Sequence, residues 1–143
     1  MLVSSSIARV VVGRLEHGSD LLSSIKSIVK SEGIMFGLVY AIGAVKRAKL
    51  AYYNQYEKKY EVITIDKPME ILSCIGNVIG GDEVIVHLHI TLGDSDGKAY
   101  GGHLLEGTEV FACEVAIIEL SGVRAERVYD EKTGLKLLSL VKI

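Results

Sequence analysis

Residues 87–107 read HLHITLGDSDGKAYGGHLLEG, and this stretch organises the rest of the sequence. It begins with histidines alternating with apolar residues, a pattern typical of a β-strand. Because side chains alternate between the two faces of a strand, His87 and His89 lie on one face. Leu88 and Ile90 point to the other face, which we expect to be the apolar core.

A third histidine follows within the same stretch. Residues 94–97 (DSDG) predict a turn, and the Gly101-Gly102 pair before His103 predicts another. If the chain folds back at these turns, His103 reaches the face of the first two histidines. Three imidazoles on one rigid face suit zinc or a similar divalent ion and leave a fourth position for water or a ligand. The pattern leaves two interpretations open, a metal site or structural histidines held by hydrogen bonds.

Carboxylates flank the histidines. Asp94, Asp96 and Glu106 are candidates to orient an imidazole or to act as a base on a bound water. Asp94 and Glu106 are the two catalytic candidates, although aspartates beside glycine are also common turn formers. His17 stands alone between Glu16 and Gly18, so we expect it to be an ordinary surface residue.

Outward from this stretch, the sequence predicts one α+β domain over residues 1–143, with a mainly antiparallel sheet and one covering helix. The helix spans about residues 20–32, where Ser19 or Asp20 caps an apolar face and Gly33 ends it. A short helix at 44–49 is an alternative to strand there. The predicted strands cover residues 7–15, 36–42, 49–53, 60–65, 70–76, 83–92, 109–120 and 126–129.

The composition excludes several classes of protein. The chain has 143 residues, 49% hydrophobic and 24% charged, which excludes a disordered chain. Its net charge of −2 disfavours binding to DNA through phosphate contacts alone. Cys74 and Cys113 form no CxxC, and we expect both to be buried in a reducing compartment. Without a signal-peptide pattern or a long apolar run, the expected location is the cytoplasm and no membrane is involved.

Other motifs are absent or structural in character. The sequence contains no dinucleotide-binding GxGxxG, no P-loop and no GxSxG nucleophile motif. Four tyrosines, at positions 52, 53, 56 and 60, lie close together near two lysines. We interpret them as packing a sheet face or an interface.

Several segments together resemble one family, the PPC domain ("plants and prokaryotes conserved", also called the PD1-like DNA-binding domain). The resemblance spans nearly the whole chain, continues in Arg127 and Asp130, and rests most on the HxH…DxDGxxxGGHLxEG pattern. The other matching segments are LEHGSDLL at 15–22, GLVYAIGA at 37–44 and IGN at 75–77.

The resemblance implies a trimer-forming α+β fold and a metal site with His87, His89 and His103 as ligands. Plant relatives join this domain to a basic AT-hook that enters the DNA minor groove, and no such segment occurs here. Three functions follow as hypotheses. The first is a zinc-binding homotrimer that binds a small ligand or partner without an assigned reaction. The second is a metal-dependent hydrolase or lyase assisted by Glu106 or Asp94. The third is a DNA-associated regulator.

Overall fold

One long strand, Phe36–Asn54, runs through the centre of the sheet. The computed structural model describes residues 2–143 and thus leaves Met1 outside. Within that range, the chain forms nine strands and one helix. In order, they are β1 Ser6–Leu15, α1 Leu21–Ser31, β2 Phe36–Asn54, β3 Lys59–Ile65, β4 Met69–Ile79, β5 Ile85–Gly93, β6 Ala99–Leu104, β7 Glu109–Ser121, β8 Val123–Asp130 and β9 Leu135–Lys142.

Every pairing in the sheet is antiparallel, as the sequence predicts. The strand order is β1-β7-β2-β4-β5-β6, with β3 on the second half of β2. That half of β2 also pairs with β6, where Leu50 and Ala51 lie opposite Leu104 and His103. The pairings β2-β4-β5-β6-β2 therefore form a closed ring, which holds β6 from both sides.

The predicted helix is confirmed at both ends. The Asp20 carboxylate accepts a hydrogen bond from the Ser23 amide at 2.9 Å, which satisfies a donor that the first turn leaves unpaired. After α1, Gly33 adopts a φ of +64°, a conformation that favours glycine. The helix buries Leu21, Ile25 and Val29 against one face of the sheet.

The alternative of a short helix at 44–49 is wrong. Those residues continue β2 without interruption, because β7 pairs with them as far as Arg47 and β3 takes over at Ala48. Long-range pairing on the strand edges overrides the weak local preference for helix. Irregular pairing near Gly43 and Val45 shifts the register there and disturbs the apolar alternation.

The core lies between α1 and the sheet. Leu88 and Ile90 of β5 are buried there, as predicted, together with Cys74 and Cys113. Both cysteines are free thiols, and burial raises the pKa of Cys74 to about 12 and that of Cys113 to about 11. The two thiols are therefore unreactive apolar core residues.

A β-hairpin of β8 and β9 forms a separate two-stranded sheet at the end of the chain. Its start is fixed where Val123 packs with Phe36 and Ile79 in a second small core. Its turn is fixed by the Tyr53 hydroxyl, which donates to the Thr133 carbonyl at 2.7 Å. The sequence predicts β8 but not β9, whose residues lack clear alternation.

Candidate metal centre

The sheet brings the three predicted histidines together on the face opposite α1. His89 of β5 lies directly across from His103 of β6, and His87 is two residues earlier on the same strand. The ring centroids of the three pairs are 5.1 to 5.7 Å apart. One ring nitrogen from each histidine lies within 4.8 Å of the others.

The glycines before His103 act differently from the prediction. Gly101 and Gly102 do not form a turn, because they lie in strand β6. A Cβ on Gly102 would lie 2.8 Å from the Ala51 carbonyl oxygen, and one on Gly101 would lie 3.0 Å from that of Ile90. Glycine lets β2, β5 and β6 approach closely, and this approach places His103 beside the other rings. The turn itself lies at Asp94–Gly97, where the Gly97 amide donates to the Asp94 carbonyl at 3.0 Å.

Arg127 of β8 extends from the hairpin to the edge of the cluster. Its Nη2 donates to Asn77 Oδ1 at 2.6 Å and to His87 Nδ1 at 3.2 Å. Arginine has no lone pair to offer, so Nδ1 is the acceptor and the neutral ring carries its proton on Nε2. The sequence gives no chemical signal for this contact, because the two residues are 40 positions apart.

Burial favours the neutral form of two of the three imidazoles. Burial, followed by the positive charge of Arg127, lowers the pKa of His87 to about 4. Burial also lowers the pKa of His103. Both rings therefore keep a lone pair that a metal ion can accept. The Nδ1 of His103 is buried without any hydrogen-bond partner, which is an unusual state for a polar atom.

A cavity of about 770 Å³ opens beside the histidines. Its walls come from the histidine face of the sheet, from the turn region of β2 and β3, and from the β8–β9 hairpin. The Tyr60 ring lies 5.1 Å from the His103 ring and 5.0 Å from the Tyr53 ring. Three members of the predicted tyrosine group, Tyr52, Tyr53 and Tyr60, thus line this cavity beside the site.

The structure places the candidate carboxylates elsewhere. Asp94 accepts hydrogen bonds from Lys67 at 2.8 Å and from the Tyr100 hydroxyl at 3.1 Å. Glu106 forms an ion pair at 2.8 Å with Lys26 of the helix. Among residues 2–143, the group of His, Cys, Asp and Glu side chains close enough to share an ion contains only the three histidines.

Two further predictions concern His17 and the absence of a membrane-spanning helix. His17 is exposed and its Nδ1 lies 2.8 Å from the Phe111 carbonyl oxygen, so it is the surface residue that its isolation predicts. Within the described chain, no helix has the length and apolar character needed to cross a membrane.

Fold and site together define an α+β domain with three histidines on one face of an antiparallel sheet. This is the face opposite α1, which we call the open face. Residues 3–121 match the model of the Plants and Prokaryotes Conserved (PCC) domain. The chain belongs to this family, which is the PPC family that the sequence resembles. The matched residues end before the β8–β9 hairpin, so Arg127 lies beyond them.

Solved structures from several organisms are similar over nearly the whole chain. The metal-containing protein AF0104 from Archaeoglobus fulgidus is 42% identical, with a TM-score of 0.90 over 97% of this chain and 99% of that one. A plant- and prokaryote-conserved (PPC) protein from Pyrococcus horikoshii is 37% identical, with a TM-score of 0.90 and full coverage of both chains. A protein from Bacteroides thetaiotaomicron, described as a candidate DNA-binding protein, is 30% identical with a TM-score of 0.84 over 95% and 96% of the chains.

Curated relatives include a much longer protein. The bifunctional protein GlmU from a Synechococcus strain (JA-3-3Ab) is 28% identical over 137 residues. Those residues are 94% of this chain but 21% of the relative, so the chain spans about a fifth of its length.

Proposed function

We propose that the protein binds one divalent metal ion per subunit, zinc first among the candidates, through His87, His89 and His103. The observation that carries this proposal is the convergence of three ring nitrogens within 4.8 Å on one face of the sheet. Neutral imidazole is a preferred zinc ligand, and three protein ligands leave a position for a small molecule. The 42% identical archaeal protein described as metal-containing supports the same conclusion.

The donor set fits such an ion. The unpartnered, buried Nδ1 of His103 is a polar atom without an acceptor or donor from the protein, and a bound ion or a water would relieve that cost. His87, His89 and His103 would hold the ion through one ring nitrogen each. When bound, zinc would hold a ligand or water at its open position. Within the described chain, no carboxylate lies close enough to share the ion with the histidines, so we assign no reaction.

Zinc titration against a chromophoric chelator tests this proposal. Replacing His89 with Ala removes a ligand, so we expect zinc affinity to fall by at least 100-fold. His17→Ala is the matched control, because it removes an imidazole that lies outside the cluster. Equal zinc affinity in the two variants would contradict the proposal.

We propose further that the protein is a homotrimer, with the part of the open face that runs from β1 to β4 at the subunit interface. A row of directly paired residues crosses this face from the outer strand to the histidines: Val12, Ala116, Tyr40, Ile75, His89 and His103. Val12, Tyr40 and Ile75 expose 74%, 50% and 49% of their surface, which is costly on a solvated sheet. Association removes this surface from water, and the family resemblance supplies the number three.

Light scattering at micromolar concentration tests the trimer. We expect three times the 15.5 kDa of one chain. Tyr40→Asp places a charge in the centre of the row and should produce monomers, whereas Tyr56→Asp, at a fully exposed turn residue, should not. A wild-type monomer would refute the proposal.

We also propose the cytoplasm as the location of the protein. The two free thiols, Cys74 and Cys113, support a reducing compartment, where cysteines stay unpaired.

A further inference from the structure

The cavity beside the histidines contains an arginine whose charge no carboxylate neutralises. Both acceptors of Arg127, Asn77 Oδ1 and His87 Nδ1, belong to uncharged groups. Within residues 2–143, no Asp or Glu oxygen forms an ion pair with it. Among the residues that line the cavity, Glu83 is the single acid and is exposed, while Lys136 adds a second cation. Arg127 is half-buried, and its two neutral acceptors leave its positive charge uncompensated.

The guanidinium still has donors to offer. It carries five N–H hydrogens, of which the two on Nη2 bind Asn77 and His87. The hydrogens on Nε and Nη1 have no protein acceptor in the described structure. The lining of the same cavity includes the Tyr60 ring and the apolar side chains of Leu135 and Leu137.

We propose that this cavity binds a small organic anion, whose carboxylate or phosphate group pairs with Arg127 and whose planar or apolar part lies against Tyr60. Charge-assisted hydrogen bonds to a guanidinium are stronger than hydrogen bonds between neutral groups. The cavity volume of about 770 Å³ is in the range of small-molecule sites. The hairpin supplies Arg127, so the ligand would sit between the hairpin and the histidine face.

The anion site is coupled to the metal, a step that rests on the proposed function. A metal ion on His87 Nδ1 takes the lone pair that Arg127 uses. A metal ion on Nε2 forces the ring proton onto Nδ1, which then cannot accept from Arg127. In either case Arg127 must release His87, and an anion that holds the released guanidinium favours metal binding. By linkage, the metal strengthens anion binding by the same factor.

Calorimetry on metal-free protein tests the anion site itself. The probes are benzoate and phenyl phosphate, with benzamide as the uncharged isostere of benzoate. We expect wild-type protein to bind both anions at least tenfold more tightly than benzamide. Arg127→Gln should reduce benzoate affinity to that of benzamide, and Arg127→Lys should restore part of it. Arg124→Gln removes an equal charge from an exposed position on the same strand and should change nothing.

Two results would overturn the anion site. One is equal binding of benzoate and benzamide by the wild-type protein, and the other is unchanged benzoate affinity in Arg127→Gln. If only phenyl phosphate binds through Arg127, the ligand is a phosphate ester, and if both bind, the charge is what the site recognises.

Zinc titration with and without benzoate tests the coupling. We expect benzoate to tighten zinc binding at least threefold in the wild type and in Arg124→Gln, but not in Arg127→Gln. Unchanged zinc affinity in the wild type would overturn the coupling. A protein that binds benzoate through Arg127 but never binds zinc refutes the metal proposal and supports the anion site. A protein that binds zinc but treats benzoate and benzamide alike keeps the metal site and refutes this inference.

Discussion

The two faces of strand β5 have opposite chemistry although their residues alternate along one backbone. On the face covered by α1, Leu88 and Ile90 expose 1% and 2% of their surface. On the other face, His87 and His89 meet His103 beside a cavity. One face therefore contributes buried apolar surface to folding, and the other holds the histidines that we propose as metal ligands. Substitutions at neighbouring positions should separate stability from binding.

The largest expected loss of stability comes from a substitution on the face that α1 covers. Leu88→Ala leaves a cavity in the packed core and should lower the free energy of unfolding by about 2–5 kcal/mol. His89→Ala, one position away, should change it by less than about 0.5 kcal/mol, because the ring is exposed. Urea unfolding of metal-free protein measures both, and similar losses in the two variants would remove the distinction between the faces.

The next effect comes from strand spacing behind the site. A Cβ on Gly76 of β4 would lie 2.0 Å from the His87 carbonyl oxygen, so Gly76→Ala must push β4 and β5 apart. We expect a loss of about 2 kcal/mol in the free energy of unfolding. Gly13→Ala in β1 is the matched control, because no atom lies within 4 Å of its Cβ position. The same urea experiment compares them, and equal stability of the two variants would contradict this account of β4.

A smaller effect should appear at low pH, at the turn between β5 and β6. The hydrogen bond from Lys67 is the largest cause that lowers the pKa of Asp94 in the folded protein. Ionised Asp94 therefore stabilises the fold at neutral pH, and its contribution declines as the pH falls below the ordinary carboxyl value of about 4. Asp94→Asn should be less stable than wild type at pH 7, with a difference that shrinks toward pH 3. Urea midpoints measured across this range test this, and a difference that stays constant with pH would contradict it.

The smallest expected signal is in DNA binding. Lys46, Arg47 and Lys49 form the densest basic cluster of the sequence, but Glu109 pairs with Lys46 at 3.0 Å and with Arg47 at 3.2 Å. With a net charge of −2, we expect no binding to duplex DNA tighter than micromolar at about 150 mM salt. Fluorescence anisotropy with duplexes of several sequences measures this, and a salt-resistant submicromolar affinity would show that the charge argument is wrong.

Local sequence patterns predict those features that neighbouring residues determine. Short-range geometry determines the helix cap at Asp20, the end of the helix at Gly33 and the alternating burial from His87 to Ile90. The structure confirms all three. Residues 44–49 differ, because pairing with distant strands decides their conformation. The two glycines before His103 differ for the same reason, since Ala51 and Ile90 come close to them only in the folded sheet.

The candidate site shows the same division. The three histidines are predictable because they fall within 17 positions of one another on strands that fold back. Arg127 and Tyr60 reach the cavity from β8 and β3, and only the closed sheet and the packed hairpin bring them there. The predicted assistance from Glu106 and Asp94 relied on closeness in sequence. In the structure, these carboxylates contact Lys26 and Lys67 instead.

Metal analysis of the purified protein tests the central claim most directly. After incubation with zinc and removal of the excess, elemental analysis should find one zinc ion per wild-type chain. Anomalous scattering at the zinc edge from a crystal should locate that ion between the three imidazoles. The variant with His87, His89 and His103 all replaced by Ala should hold none. A wild-type protein that stays without zinc, or a triple variant that retains one ion per chain, would contradict the account.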